Sequence, residues 1–363
     1  MNIGIPKERR SFEYRVGLTP SYVKMLIRQG HVCYVEHDAG VGAGYSDPDY
    51  ERAGARIVYT PHEVFGRADL LIKVTRPVLE EIEWMRPGTT LCGLLHLGSA
   101  QHDKIEKLLQ SEITAIAYEQ ISLPDGSMPV RRSLSAIGGT MAAQIAARLM
   151  QNDAGGKGIL IGGAAGVPPA EVVIIGAGIS GTCAARAFYG LGAHVTVLDI
   201  SVKALQEIHD KFPGVTTLVS NPITVARACT YADVLVGAIL VPQERPPIVV
   251  TREMVRSMKP RSILMDISID EGGCVETSRP TTHEHPTYIE EGVIHYCVPN
   301  ISSTVSRTAT HVYLNAAFPY ILEIATKGVE AAIAENPAIE SGVGTFHGQA
   351  RHISSLSPIV QME

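Results

Sequence analysis

Apolar positions along the chain fall into two successive series in which short apolar runs alternate with stretches of helical spacing. In the first third, NIGIP, HVCYVEH, ARIVY, DLLIKV, TTLCGLLH and ITAIAY have strand length. Between them, PSYVKMLIRQG, PDYERAG, PHEVFGR and SAQHDKIEKLLQ space their apolar residues as helices do. Strands alternating with helices predict parallel βαβ units. Residues 135–151, SAIGGTMAAQIAARLMQ, predict one long Ala-rich helix crossing between domains. The Gly- and Pro-crowded stretch at 153–169 predicts a loop or tight ribbon ahead of a second domain. EVVIIGAG then opens the second series, with a helix at ISGTCAARAFYGLG, a strand at HVTVLDI and a helix at VKALQEIHDKF. GVTTLVS, DVLVGAIL, SILMDIS and HYCVP continue the strands. Residues 302–335 read as helix returning to the first domain, since a Rossmann-type unit is complete after about six strands. The tail from Ala338 is weakly patterned.

The predicted class is therefore α/β, with two Rossmann-like, doubly wound domains linked by long helices. Residues 1–133 with 305–363 form one expected domain, and 134–304 the other. A chain of 363 residues exceeds one ordinary core. Its 45% hydrophobic and 19% charged residues suit a folded protein. A formal charge of −6 argues against a nucleic-acid partner. No apolar run approaches the length of a membrane span, and MNIGIPKERR lacks the apolar core of a signal peptide, so the expected location is cytoplasmic. Cys33, Cys92, Cys183, Cys229, Cys274 and Cys297 form no C-x-x-C pair, and they read as reduced, mostly buried thiols. His283 and His285 stand two residues apart in a Pro-flanked loop without an evident third ligand, so no metal is expected.

The candidate chemistry starts at VVIIGAGISG, residues 172–181. Gly176, Gly178 and Gly181 have the spacing G-x-G-x-x-G, which alone is weak. Here the motif follows a strand and opens a helix, as dinucleotide binding requires. Gly176 would allow the tight turn, Gly178 the approach of a pyrophosphate, and Gly181 close helix–strand packing, with the helix N-terminus facing the phosphates. Asp199 ends the next strand 18 residues beyond Gly181, close to the ~20 expected of the acid that holds the ribose diol. It favours NAD over NADP. Lys203, one helical turn on, is the nearest cation and leaves NADP use open, and Asp199 could also merely end its strand. Hydride transfer at a polar carbon needs a cation for a carboxylate, a polarising donor and a proton relay. Polar residues at strand ends supply candidates in Lys73, His96 and Asp270, with Arg15 in the loop after the first strand. Each has a plain alternative, such as a structural histidine at a strand end.

Together GIPKE, RVGLTP at 15–20, LLIKV, LLHL at 94–97, AYE at 117–119, VVIIGAG, VTVLDI, DISIDEGGCVETSRPTTHEHPTY at 266–288 and YCVPN at 296–300 resemble the alanine dehydrogenase family. That family is related to the NAD-binding subunit of proton-pumping transhydrogenase, and the resemblance spans about residues 1 to 335. It implies a homohexamer of two-domain subunits, with an amino acid or 2-oxo acid bound in a cleft between domains. It also implies Arg15 and Lys73 as ligands of the substrate carboxylate and carbonyl, His96 as proton relay and Asp270 as an aid to the amine step. Asn300 would lie near the nicotinamide, and Ser135 is matched among the cofactor contacts. The implied reaction is L-amino acid, NAD⁺ and water to 2-oxo acid, NADH and ammonium, with His96 activating the water. Held near Arg15, Lys73 is expected to have a lowered pKa through like-charge repulsion.

The chain departs from the family pattern at 130–140. Leu134, Ala136 and Thr140 stand where Met, Glu and Arg are usual, Arg131 and Arg132 precede them, and Arg76 replaces a familiar Glu. Loss of both Glu and Arg reads as a matched change, whereas the added arginines raise a second reading, a larger or more acidic substrate than alanine. Pro299, Ser302 and Ser306 also differ. A redox-neutral cyclodeaminase and a non-enzymatic NAD-binding subunit or sensor are the other functional classes open at this point.

Overall fold

A computed structural model of the protein describes residues 1–241 and 245–353. The chain forms two compact units, Met1–Leu134 with the segment from Ser303 onward, and Ser135–Ser302. The first unit begins with strands β1 (Asn2–Ile5), β2 (Val32–Glu36), β3 (Arg56–Val58), β4 (Leu70–Thr75), β5 (Thr90–Leu94) and β6 (Thr114–Ala117). The second holds β7 (Glu171–Ile175), β8 (His194–Asp199), β9 (Thr216–Val219), β10 (Val234–Gly237), β11 (Ile263–Asp266), β12 (Thr287–Glu290) and β13 (Val293–Tyr296). The chain then returns to the first unit for β14 (Val343–Phe346) and β15 (Gln349–Ala350).

The two sheets repeat one plan. In the first the order is β15-β14-β6-β5-β4-β1-β2-β3, and in the second β12-β13-β11-β10-β7-β8-β9. Counting the first six parallel strands of each in chain order, both read 3-2-1-4-5-6, the order of a doubly wound dinucleotide fold. The order reverses between β1 and β4 in the first sheet and between β7 and β10 in the second. Loops leaving the carboxyl ends of those strands diverge there and leave room for ligands.

Burial on both faces explains the unbroken apolar runs. All six residues of β4 are buried. Leu70, Ile72 and Val74 join one core cluster and Leu71 the other, so strand alternation aims Lys73 at the same face as Leu71. The helix Ser306–Lys327 contributes Tyr313, Leu314, Ala317, Phe318, Ile321 and Ile324 to the first cluster. In the second unit, Val173, Ile175, Leu198, Leu235 and Leu264 centre the core.

Three of the differences from the sequence expectations have a plain physical reason. The long helix starts at Pro129 rather than 135 and runs to Leu149. Proline suits a first helical position, and the polar VRRS that follows hid it. The short helix Leu79–Glu83 was not anticipated, because five residues with three acids carry no readable period. Among the described residues the segment 337–353 is structured, with the helix Pro337–Ser341 followed by a hairpin that adds β14 antiparallel to β6. His347 and Gly348 both have positive φ, as a two-residue hairpin turn of type I′ needs, and His-Gly is an inconspicuous way to write one.

Candidate functional site

The glycine turn after β7 performs three distinct tasks. Gly176 has φ +109°, and a Cβ there would lie 2.3 Å from the Ala238 carbonyl oxygen at the end of β10. Gly181 admits no side chain either, since its Cβ would meet the Gly176 oxygen at 1.8 Å. Gly178 faces open space, with nothing within 4 Å of a built Cβ. It sits at the N-cap of the helix Ile179–Gly190 with no side chain capping that end. An uncapped helix start presents backbone N–H groups and a partial positive charge, which suits a pyrophosphate. Two positions are closed for packing and the one between is open, as a phosphate cradle requires.

Asp199 ends β8 and is pinned toward this turn. Its Oδ2 accepts from Ala177 N–H at 2.6 Å and its Oδ1 from Ser201 N–H at 2.7 Å. Each carboxylate oxygen has a further lone pair for a diol. Lys203 is exposed in the first turn of the helix Val202–Lys211. Ser135 contributes its carbonyl oxygen, which accepts from Ser180 Oγ at 3.1 Å. Close by, a Cβ on Gly139 would strike the Ser180 carbonyl at 2.0 Å, so the long helix lies directly on the turn. Thr140 donates its hydroxyl to the Ala136 carbonyl at 2.9 Å, so this pair leaves no buried charge where Glu and Arg were expected.

Asp270 and Asn300 come together in the second unit. Asp270 lies in the single turn Ile269–Glu271 after β11, and its carboxylate accepts from Asn300 N–H at 3.1 and 3.4 Å. Asn300 has φ +55°, so the contact holds an uncommon backbone conformation. Buried Asp266 at the end of β11 organises the same loop by accepting from the N–H groups of Ser268, Cys274 and Val275. Burial raises its pKa.

In the first unit, Lys73 and Arg15 are 1% and 2% exposed. Lys73 Nζ lies 2.8 Å from Glu81 and 3.2 Å from Glu8. Glu8 follows β1 and bridges the switch point, accepting from Val74 N–H at 2.6 Å and from Thr75 Oγ1 at 2.7 Å. Arg15 forms a two-pronged pair with Glu13, at 2.7 Å through Nε and 2.6 Å through Nη2. The expected lowering of the Lys73 pKa is therefore corrected. Burial alone would lower it, but Glu8 and Glu81 more than offset burial and the pKa is raised. Burial raises the Glu8 carboxyl, against the pull of Lys73. Glu8, Glu13 and Glu81 went unnoticed in the sequence because acids near the ends of elements usually face water. The E of GIPKE was the one available signal.

His96 follows β5 with φ +43°, and its ring is exposed. Buried Glu119 fixes this left-handed backbone by accepting from Leu95 N–H at 3.1 Å and His96 N–H at 2.7 Å. The His96 carbonyl accepts from Arg76 Nη1 at 3.3 Å. Lys73 and His96 thus lie at the carboxyl ends of adjacent parallel strands, the end at which this fold class places ligands.

Among the described residues one group could hold a metal ion, His37, Asp38 and Asp47, with candidate atoms within 4.8 Å of one another. It involves none of the residues above. No helix among the described residues is long and apolar enough to cross a membrane.

Strand order, glycine turn and terminal acid define a doubly wound α/β protein whose second unit carries the pattern of a dinucleotide-binding fold. The family profiles described as alanine dehydrogenase/PNT, N-terminal domain, and alanine dehydrogenase/PNT, C-terminal domain, match residues 4–138 and 142–353. The chain belongs to this family. It is 44% identical over 354 residues to an alanine dehydrogenase of Methanococcus maripaludis, covering 97% of this chain and 95% of that one. An alanine dehydrogenase of Geobacillus stearothermophilus is 43% identical, with 96% and 94% covered. Among solved structures, an L-alanine dehydrogenase superposes with TM-score 0.96 at 39% identity over 100% of both chains. A transhydrogenase from Sinorhizobium meliloti gives 0.82 at 25%, covering 97% of this chain and 100% of that one.

Proposed function

We propose that the protein is an NAD-dependent amino-acid dehydrogenase that interconverts L-alanine with pyruvate and ammonium. The observation that carries this reading is the full-length likeness to alanine dehydrogenases. The turn at Gly176–Gly181 would hold the pyrophosphate, Asp199 the ribose and Asn300 the nicotinamide end, with Ser135 and Lys203 as further contacts. Bound there, NAD⁺ supplies the hydride acceptor. Residues 1–133 with 305–363 serve as the substrate domain and 134–304 as the dinucleotide domain.

Arg15 holds the substrate carboxylate with its planar guanidinium, whose orientation Glu13 sets. Lys73 remains an ammonium between its two carboxylates, so it donates to the developing oxygen and does not act as base. His96 takes the proton from the water that attacks the substrate carbon and returns it as ammonia departs. Asp270 stabilises the cationic amine at that stage. The backbone of His96, locked by Glu119, fixes where the imidazole can reach.

NADH formation at alkaline pH across the twenty amino acids tests the reading. Alanine is expected to give sustained NADH, and absence of NADH with every amino acid would refute it. Turnover of an amino acid without net NADH would mark the redox-neutral class instead. The family resemblance supports a homohexamer in the cytoplasm, which sedimentation and cell fractionation check.

A further inference from the structure

Close to His96 the first unit has an open cavity of about 300 Å³ lined by Arg10, Arg76, Ser99, Gln101 and Lys104. Three of its five lining residues are cations, and none of these three forms an ion pair with a carboxylate among the described residues. Arg76 is held in place, donating to Ser99 Oγ at 3.1 Å and to the His96 carbonyl at 3.3 Å. The nearest acids act at longer range, Glu119 on Arg76, and Asp103 and Glu81 on Lys104. Burial and the neighbouring Arg10 lower the pKa of Arg76. Burial, then Arg10 and Arg76, lower that of Lys104. The cations therefore repel one another, and an anion among them would relieve that repulsion. The Arg76 contacts to Ser99 and His96 both use Nη1, and the other N–H groups of its guanidinium offer the donor geometry a carboxylate needs.

The position of this cluster identifies the carboxylate. Arg76 follows Lys73 by three residues and touches the His96 backbone. Glu81, which pairs with Lys73, also acts on Lys104. We propose that Arg10, Arg76 and Lys104 form a subsite for the distal carboxylate of a dicarboxylic 2-amino or 2-oxo acid, so that acidic substrates are accepted besides alanine. This rests on the dehydrogenase reading and adds a substrate class to it.

Competition binding on the full-length protein with NADH present tests the subsite. The probes are pyruvate, oxaloacetate, 2-oxoglutarate and glutarate, measured on the wild type and on Arg10→Gln/Lys104→Gln. At least one dicarboxylic 2-oxo acid is expected to compete with pyruvate. The double variant is expected to weaken that acid about tenfold relative to pyruvate, with the same shift in the kcat/KM ratio. Lack of binding by either dicarboxylic 2-oxo acid overturns the proposal. So does equal weakening of pyruvate, or binding of glutarate without competition, which would mark a separate anion site. If pyruvate and alanine are themselves not turned over, the dehydrogenase reading fails. If they are and the acidic probes do not bind, only the subsite fails.

Discussion

His96 and Lys73 show how far a single residue's role depends on backbone and neighbours. His96 occupies a left-handed conformation that costs energy for any residue but glycine, and Glu119 holds it there through two backbone N–H groups. His96→Ala is expected to abolish turnover while NAD⁺ still binds, as tryptophan or NADH fluorescence titration would report; near-normal activity would remove His96 from the proton relay. Lys73 has a pKa above its ordinary 10.5. Below pH 10.5 folded and unfolded chains both hold the proton, so its contribution to stability is complete. As pH rises further the unfolded chain loses that proton first, and the contribution declines until the folded pKa is passed. Lys73→Met leaves Glu8 and Glu81 buried without their shared ammonium. It is expected to cost about 3–5 kcal/mol in urea denaturation at pH 8, with a gap to the wild type that narrows above pH 10.5. Reasoning from like-charge repulsion pointed the other way, because the buried acids could not be recognised one residue at a time.

At the scale of elements the apolar rhythm was nearly sufficient. Strands β1–β6 and the main strands of the second sheet are the runs expected, since a doubly covered parallel sheet writes itself as continuous apolar residues. What escaped was short, acidic or at an edge: the helix Leu79–Glu83, the antiparallel β12 with its exposed Ile289, and the hairpin β14–β15. The candidate site was legible where spacing carries chemistry, as at Gly176–Gly181, and illegible where distant acids converge, as Glu8 and Glu81 do on Lys73. The turn offers a paired test. Gly178→Ala has room and an ordinary φ of −66°, so it should fold with stability changed by less than about 1 kcal/mol. Its methyl group would intrude where the proposed pyrophosphate approaches, so NAD⁺ affinity should fall at least tenfold. Gly181→Ala collides with the Gly176 carbonyl and should lose about 1–3 kcal/mol of stability as well as affinity. Thermal unfolding beside NADH titration separates the two; equal losses for both variants would contradict the division of labour.

Across the whole molecule one strand order is used twice, and the two uses part company where the order reverses. After β7 the chain makes a glycine turn with an open middle. After β1 it sends in Glu8, which holds Val74 N–H and the Lys73 ammonium. The first unit thus carries a built-in tenant, Glu8, at the very place where its twin makes an open glycine turn. A nucleotide seeking that berth would have to evict a side chain tethered to the same strand pair. Calorimetric titration is accordingly expected to count one NAD⁺ per polypeptide, and a second equivalent would mean the resident carboxylate can be turned out.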